Sequence, residues 1–443
     1  MGGSLRRIVT IGLCVILVTS MAALVQAEEY PKFDLGGETV SFVVGWDGWY
    51  QLFFGQFQDG EGKAWKEEVE KMFNCKIEFK NPKAWPASDE EKQAILAGDE
   101  PNDILIWHSS FMKGFGFVEF STPAEEFVEE GFWQRYPNIG LAQNPEKWAK
   151  FGRQTVLFPA QLLPAACRVV MWNKTLFERE GLPNLYELVE NNEWTWDKMI
   201  EIANLATKDT DGDGEIDQWG FWIPEGQIPP IATNGGRAVR EIDGKLVYTA
   251  NEPAFIEGVR IANEILNIGE AMAPQGFHEN HSVWKQGKIA MRMVEHVEML
   301  DYPIVFEIED DFGVVPPPMG PNVDSIYSDD YAIDGSRMFG LIIPKGVKNP
   351  RAKIEVANAL FKLTVPYIDP ETGLEDAWMA WAAKFNIRDE ETLEMMKLVD
   401  SKVDAHASMH YFDVLSDVDM ASPAAGLNAK APVVQAMLDE EFN

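Results

Sequence analysis

The sequence predicts an α/β protein of two lobes. Three observations carry that expectation. Short buried strands alternate with helical segments along the chain, the pattern of sheets with parallel strands. With 443 residues the chain is too long for one ordinary domain. Its apolar content of 46% is ample for two cores, and no internal repeat, low-complexity tract or Pro/Gly/Ser tether separates them. Short crossings of ordered backbone are therefore expected to join the lobes.

At the start, Arg6 and Arg7 precede an apolar run from Ile8 to Val18, and the segment ends Val25-Gln26-Ala27. This reads as a signal peptide, residues 1–27, cut after a small residue. The run is short for a membrane span, and polar Thr19 and Ser20 follow it. Cys14 lies inside the run and not at the cleavage point, which argues against a lipid-modified cysteine. The mature chain is expected in the periplasm, or outside the cell in a single-membrane organism. Its formal charge is −33 before cleavage, and loss of Arg6 and Arg7 makes it more negative still. Nucleic acids and anionic membranes select basic surfaces, so both are excluded as partners. Cys75 and Cys167 remain after cleavage, and their spacing gives no geometric warrant for a disulfide.

Gly36-Gly37 reads as a turn before the strand Glu38–Gly45. A helix over Lys63–Phe73, a strand over Lys76–Lys80, a helix near Asp89–Leu96 and a strand over Asp103–Trp107 follow. Ligands of parallel sheets sit beyond the carboxyl ends of the strands. That rule points to Trp46, Asp47 and Trp49, and to Trp107, His108, Ser109 and Ser110. Further on, Gln154–Phe158 and Ala166–Asn173 flank Pro159 and Pro164, and Trp172–Leu182 is a helical region. Gly220–Ile223 is a strand, Thr233–Arg237 a turn and Glu252–Gly269 an amphipathic helix. Ile289–Val294 and Phe312–Val315 are short strands.

The stretch Trp194–Trp222 is the most explicit. Thr195 is the expected N-cap of a helix, with Asp197 in its first turn where the helix dipole favours a negative charge. Met199, Ile200, Ile202, Ala203, Leu205 and Ala206 make its apolar stripe. An acidic loop follows, with Asp209, Asp211, Asp213, Glu215 and Asp217 at alternate positions and Gly214 at the sharp turn of an EF-hand-type loop. Calcium needs several oxygens around one point, and this spacing supplies them. The twelfth position, which an EF-hand fills with a bidentate glutamate, is Gly220. The alternative is a solvated acidic turn. If calcium binds, it is expected to be structural, and no other cofactor is called for.

Taken in order, these segments resemble the extracellular solute-binding proteins of ABC importers, in the large family serving sugar uptake. The pieces are Gly98–Trp107 (GDEPNDILIW), Trp172–Pro183 (WNKTLFEREGLP), the Thr-Trp-Asp helix with its acidic turn, Trp284–Met291 (WKQGKIAM), Phe312–Pro318 (FGVVPPP) and Phe339–Leu363. The resemblance implies a type II periplasmic-binding-protein fold: two lobes, each a mostly parallel sheet flanked by helices, with the ligand cleft between them. It implies a first lobe of 28–164 with 338–385 and a second of 165–337 with 386–443. Crossings would lie near Pro164–Arg168, Ser336–Phe339 and Phe385–Arg388, with a return helix over Arg351–Leu363. It further implies a monomer that captures a carbohydrate, an oligosaccharide above all, and delivers it to the ABC permease subunits without catalysis.

Sugar recognition uses flat aromatic faces and a few planar polar groups. Of the fifteen tryptophans, Trp46, Trp49, Trp107, Trp222 and Trp378 fall at the expected rim. Trp148, Trp194, Trp196 and Trp219 read as core. Trp107 matches the tryptophan that maltodextrin-binding members carry at this strand end. Those members follow it with Asp and Arg, where this chain has Ser109 and Ser110. Their aromatic before the Gly-Gly turn falls on Glu225, and their Trp after the KxAM-like strand falls near Glu295–Val297. Maltodextrin as the ligand therefore does not carry over. Glu225, Arg237, Arg292 and Glu295 are the polar candidates, with surface charge as the plain alternative for each and for Arg237 above all.

His278 and His281, with His296 beyond, suggest zinc, but helical zinc pairs stand four apart and these stand three apart. The stretch reads as a loop of solvated polar residues. A secreted carbohydrate-active enzyme is the competing function, which would need two carboxylates at a fixed separation. A binding protein for peptide or another solute is a second alternative.

Overall fold

The computed structural model describes residues 33–44, 47–81, 97, 102–108, 121–123, 126, 150–151, 154–155, 158–159, 168–223, 229–274, 276–295, 308–334, 339–361, 389–404, 407 and 414–441. The chain divides into two compact units. One comprises Met1–Ile106, Glu125–Pro137 and Ile343–Thr364; the other comprises Trp107–Ala124, Asn138–Ile342 and Val365–Asn443.

In the first unit, Gly36 and Gly37 take positive φ of 64° and 83°, which only glycine adopts without strain. Their turn feeds β1 (Thr39–Val43), which pairs in parallel with β2 (Lys76–Lys80) and with β3 (Ile104–His108). Val40 and Phe42 on one face of β1 and Ser41 and Val43 on the other are all buried, as expected of a strand covered on both faces. The helix Gly60–Phe73 turns Val69 and Phe73 inward and ends on Asn74 in the left-handed conformation. The helix Pro350–Phe361 belongs to the same unit, where Trp65 Nε1 donates to the carbonyls of Ala359 and Leu360 at 3.0 and 3.2 Å. Phe42, Phe54, Phe57, Phe79 and Phe361 form one aromatic nest, with Phe54 stacked on Phe79 at 4.2 Å. Buried Lys353 pairs with Asp103, whose other oxygen accepts from the Ser41 amide at 2.8 Å. Cys75 is a buried free thiol, its pKa pushed up to about 11 by burial. Cys167 and the helix expected near Asp89–Leu96 lie outside the described residues.

The second unit contains two short pairings before its main sheet. β4 (Lys150–Phe151) pairs with β5 (Gln154–Thr155), and β6 (Phe158–Pro159) pairs with Phe339–Ile342. The main sheet is built on β7 (Arg168–Asn173), β8 (Trp219–Trp222), β11 (Ile289–Glu295) and β12 (Phe312–Val315), in the order β12-β7-β11-β8. Between β8 and β11 in the chain lies the hairpin of β9 (Val239–Ile242) and β10 (Lys245–Tyr248). Here the expectation of mostly parallel pairing needs refinement. β8 and β11 pair in parallel, but β7 is antiparallel to both β11 and β12. Three strands run one way and β7 lies reversed among them. Strand direction leaves no mark on residues buried on both faces, and all six residues of β7 are buried.

The helix Trp196–Ala206 forms as expected, with Thr195 Oγ1 accepting from the Lys198 amide at 3.2 Å. Met199, Ile202, Ala203 and Ala206 are buried, whereas Leu205, assigned to the same stripe, is 55% exposed. Trp194 and Trp196 are core residues; their indoles donate to the Pro316 carbonyl and to Thr233 Oγ1 at 2.8 and 2.9 Å. Trp219 packs partly buried against the same core, and Trp148 lies outside the described residues. The helix packs so closely on β8 that a Cβ at Gly220 would lie 1.9 Å from the Ala203 carbonyl oxygen. The last helix, Pro423–Glu441, docks on β10, where Tyr248 donates to the Leu427 carbonyl at 2.8 Å. No helix among the described residues is long and apolar enough to cross a membrane.

Candidate functional site

The expected site residues fall into three groups. Trp46, Ser109, Glu225 and Trp378 lie outside the described residues. Asp47 and Trp49 belong to the helix Asp47–Phe54, Trp107 and His108 close β3, and Glu295 closes β11. Trp107 and His108 therefore close a strand where the sequence expects one, whereas Asp47 and Trp49 lie in a helix. Trp222, Arg292 and Arg237 are described to the side chain.

Trp222 is the last residue of β8, and Arg292 stands opposite it in the parallel register with β11. Both are buried, Trp222 at 1% exposure and Arg292 at 0%. The Arg292 guanidinium carbon lies over the Trp222 ring, 4.9 Å from its centroid, and 5.7 Å from that of Trp284. Its Nη1 is 3.2 Å from His281 Nδ1. Arginine offers only donors, so His281 Nδ1 is the acceptor in this contact. Burying a charge is costly unless it is well partnered. Two indole faces and an imidazole lone pair supply part of that compensation.

This arrangement corrects the reading of the His278–His281 stretch. It is a helix, Phe277–Lys285, and not a solvated loop. Asn280, His281 and Trp284 are buried on it. The sequence signal was present in the spacing of His281 and Trp284, one helical turn apart, but polar neighbours and Gly276 masked it. The Trp222 Nε1 and both polar side-chain atoms of Asn280 are buried without a hydrogen-bond partner among the described residues.

Arg237 has a local task. Its Nε donates to Asp404 at 3.1 Å, and its Nη1 to the carbonyls of Gly236 and Ala232 at 2.8 and 3.3 Å. Asp404 lies in a two-residue strand paired with Ile333–Asp334, and Asp334 is ion-paired with buried Arg168. Arg237 thus belongs to a set of two ion pairs joined through this short strand pairing.

In the acidic loop, Asp209, Asp211 and Asp213 each bring one carboxylate oxygen within 4.8 Å of the others. The loop is shaped by its own backbone. Asp209 accepts from the amides of Gly212 and Gly214 at 2.6 and 2.8 Å, bonds that hold its carboxyl below the usual range, those to Gly214 foremost. Gly212 and Gly214 take positive φ of 80° and 95°. Asp217 is engaged instead by Thr210, through its amide and hydroxyl at 2.8 Å, and by Lys288 at 3.4 Å. Asp217 and Glu215 are not part of the three-carboxylate group. The donor set fits a hard cation as a partial, three-carboxylate site. It cannot be completed in the EF-hand manner, because Gly220 has no room for a side chain.

Comparison with known proteins follows the same lines. No curated protein matches the chain. The GacH receptor of Streptomyces glaucescens, solved unliganded and with acarbose, is similar in structure with a TM-score of 0.57 at 15% identity, covering 91% of this chain and 99% of its own. The galacto-N-biose/lacto-N-biose I-binding protein of an ABC transporter from Bifidobacterium longum gives 0.58 at 12% identity, over 92% and 98%. The maltose/maltodextrin-binding domain MalE from Bdellovibrio bacteriovorus, bound to maltotriose, gives 0.55 at 12%, over 90% and 100%. At such identities the likeness is one of fold, the two-lobe α/β fold of type II periplasmic binding proteins. The model of the bacterial extracellular solute-binding protein family matches residues 58–362, most of the chain, and the chain belongs to that family.

Proposed function

We propose that this protein captures a carbohydrate, foremost an oligosaccharide, outside the cytoplasm and delivers it to the permease subunits of an ABC importer. The observation that carries the reading is the family match over residues 58–362. The sugar ligands of the structurally similar proteins, acarbose, maltotriose and lacto-N-biose, support carbohydrate over other solutes. In this reading the protein binds and does no chemistry, acts as a monomer, and is exported with loss of residues 1–27. The lobes are 28–164 with 338–385, and 165–337 with 386–443. Trp107, at the end of β3, is the first candidate for stacking on a sugar ring.

Calcium is proposed as a structural ion held by Asp209, Asp211 and Asp213, whose oxygens stand close enough to share one cation. It would stiffen the turn entering β8 and take no part in binding the sugar.

A thermal-shift screen tests the function. A ligand bound only by the folded protein raises its stability by about 2.7 kcal/mol at a hundred times Kd. Maltotriose, mannotriose, lacto-N-biose and their monosaccharides form the first panel, with short peptides as the competing class. Stabilisation by peptides alone would overturn the carbohydrate reading.

A further inference from the structure

We propose that Trp222 reads the ligand with its indole N–H, not with its ring face, and that Arg292 is the positioning residue that holds it to that task. The assignment rests on the carbohydrate reading above and deepens it.

A tryptophan at a strand end in a sugar-binding protein suggests stacking. Here the ring is 1% exposed and the Arg292 guanidinium covers it at 4.9 Å. A covered, buried face is not offered to a sugar. The polar edge is in the opposite condition. Trp222 Nε1 is buried and has no acceptor among the described residues, although a buried indole N–H ordinarily finds one. Trp194 and Trp196 of the same unit obey that rule, with acceptors at 2.8 and 2.9 Å, whereas Trp172 Nε1 shares the exception in the core beneath Tyr186. Asn280 repeats the exception, since both of its side-chain polar atoms are buried without partners. It precedes His281, the residue in contact with Arg292. Unspent hydrogen-bonding groups on two residues, Trp222 and Asn280, thus adjoin one buried arginine. A site built to hydrogen-bond a hydroxyl keeps such groups unpaired until the ligand supplies the partner. The matching chemistry is an acceptor oxygen of a sugar hydroxyl at the carboxyl end of β8, which is where ligands of such sheets sit.

Arg292 suits the positioning role because its guanidinium is planar and always charged. It lies over both Trp222 and Trp284, with His281 accepting at its edge. Lysine keeps the charge without the plane, and methionine keeps bulk without charge. If either feature alone sufficed, one of the two would hold the ring.

The test uses the full mature protein labelled with 15N at the indole nitrogens, with Trp222→Phe identifying the Trp222 resonance. Without sugar, that resonance is expected at the position of a non-hydrogen-bonded indole. It should show nuclear Overhauser contacts to the Arg292 guanidinium protons. Adding whichever of maltotriose, mannotriose or lacto-N-biose raises Tm should move it downfield. Trp222→Phe should weaken that sugar about ten-fold, the scale of one hydrogen bond, with Tm little changed. Arg292→Lys and Arg292→Met should each displace the resonance. A resonance already hydrogen-bonded without sugar, or missing Arg292 contacts, overturns the proposal even if no variant folds. So does a stabilising sugar that leaves the resonance and the Trp222→Phe affinity unmoved. Either Arg292 variant holding the resonance in place overturns the positioning role. If no sugar raises Tm, the carbohydrate reading itself fails and this assignment falls with it; a Tm rise without an indole response condemns the assignment alone.

Discussion

Two charged regions flank β8, and they are built on opposite principles. The acidic loop before the strand is exposed, and its carboxylates are held by amides two to five residues away. The Arg292 group at the strand's last residue is buried and assembled from β11, the helix Phe277–Lys285 just before it, and β8, which lies about sixty to seventy positions upstream of both. The first arrangement is local and survives in a short piece of sequence. The second exists only once the sheet has formed. Local charge shapes a turn at little cost, whereas a buried charge depends on every partner that surrounds it.

The largest effect is expected where the two regions constrain each other. Gly220→Glu would complete the EF-hand pattern on paper, yet its Cβ would meet the Ala203 carbonyl oxygen at 1.9 Å. A backbone clash of this kind should cost about 3 kcal/mol or more, read as a fall in the urea midpoint with or without calcium. A variant as stable as the parent would show that the helix Trp196–Ala206 does not bear on β8 as described.

A carboxylate held by one distant and one local partner sharpens the contrast. Burial works to raise the pKa of Asp389, but the bonds from Lys174 at 2.7 Å and from the Thr392 amide at 2.6 Å win and hold it below the usual range. Tyr186 also reaches it at 3.2 Å. Because the folded pKa is depressed, this contribution to stability is full above the unfolded value near 3.8 and fades as pH falls through the folded value. Lys174, raised by Asp389 and Asp311 against the opposing effect of burial, keeps its contribution below 10.5 and loses it as pH rises through its folded value. Asp389→Asn should therefore cost about 1–3 kcal/mol at neutral pH and flatten the acid limb of the stability profile. An unchanged acid limb would count against this account of Asp389.

These cases show what the sequence could and could not disclose. The Thr195 cap, the glycine turns and strand β2 were legible because each is decided within a few residues. The acidic loop was legible for the same reason, down to the odd Gly220, whose cause lies in Ala203 on the neighbouring helix. Leu205 fits the helical period and still faces solvent, since periodicity fixes a stripe but not its edge. The helix carrying His281 reads as a loop in the sequence because the residues it buries include Asn and His, whose usual place is outside. Arg292 was visible as a candidate, but nothing local announces that two tryptophans and a histidine gather round it.

The smallest effect belongs to the loop. In metal-free buffer, Asp211→Ala and Asp213→Ala should each change stability by no more than about 0.5 kcal/mol, as exposed substitutions do. Calcium should then stabilise the parent and not the variants, leaving sugar affinity alike. Equal stability of parent and variants with calcium present and absent would reduce the loop to a solvated acidic turn.

The most direct measurement is isothermal titration of the mature protein with the oligosaccharide panel, repeated on Trp107→Ala. The account expects one sugar to bind with one-to-one stoichiometry, and the variant, folded as judged by its Tm, to lose about 1–3 kcal/mol of binding free energy. No heat from any sugar at millimolar concentration, or a Trp107→Ala variant that binds as tightly as the parent, would contradict it.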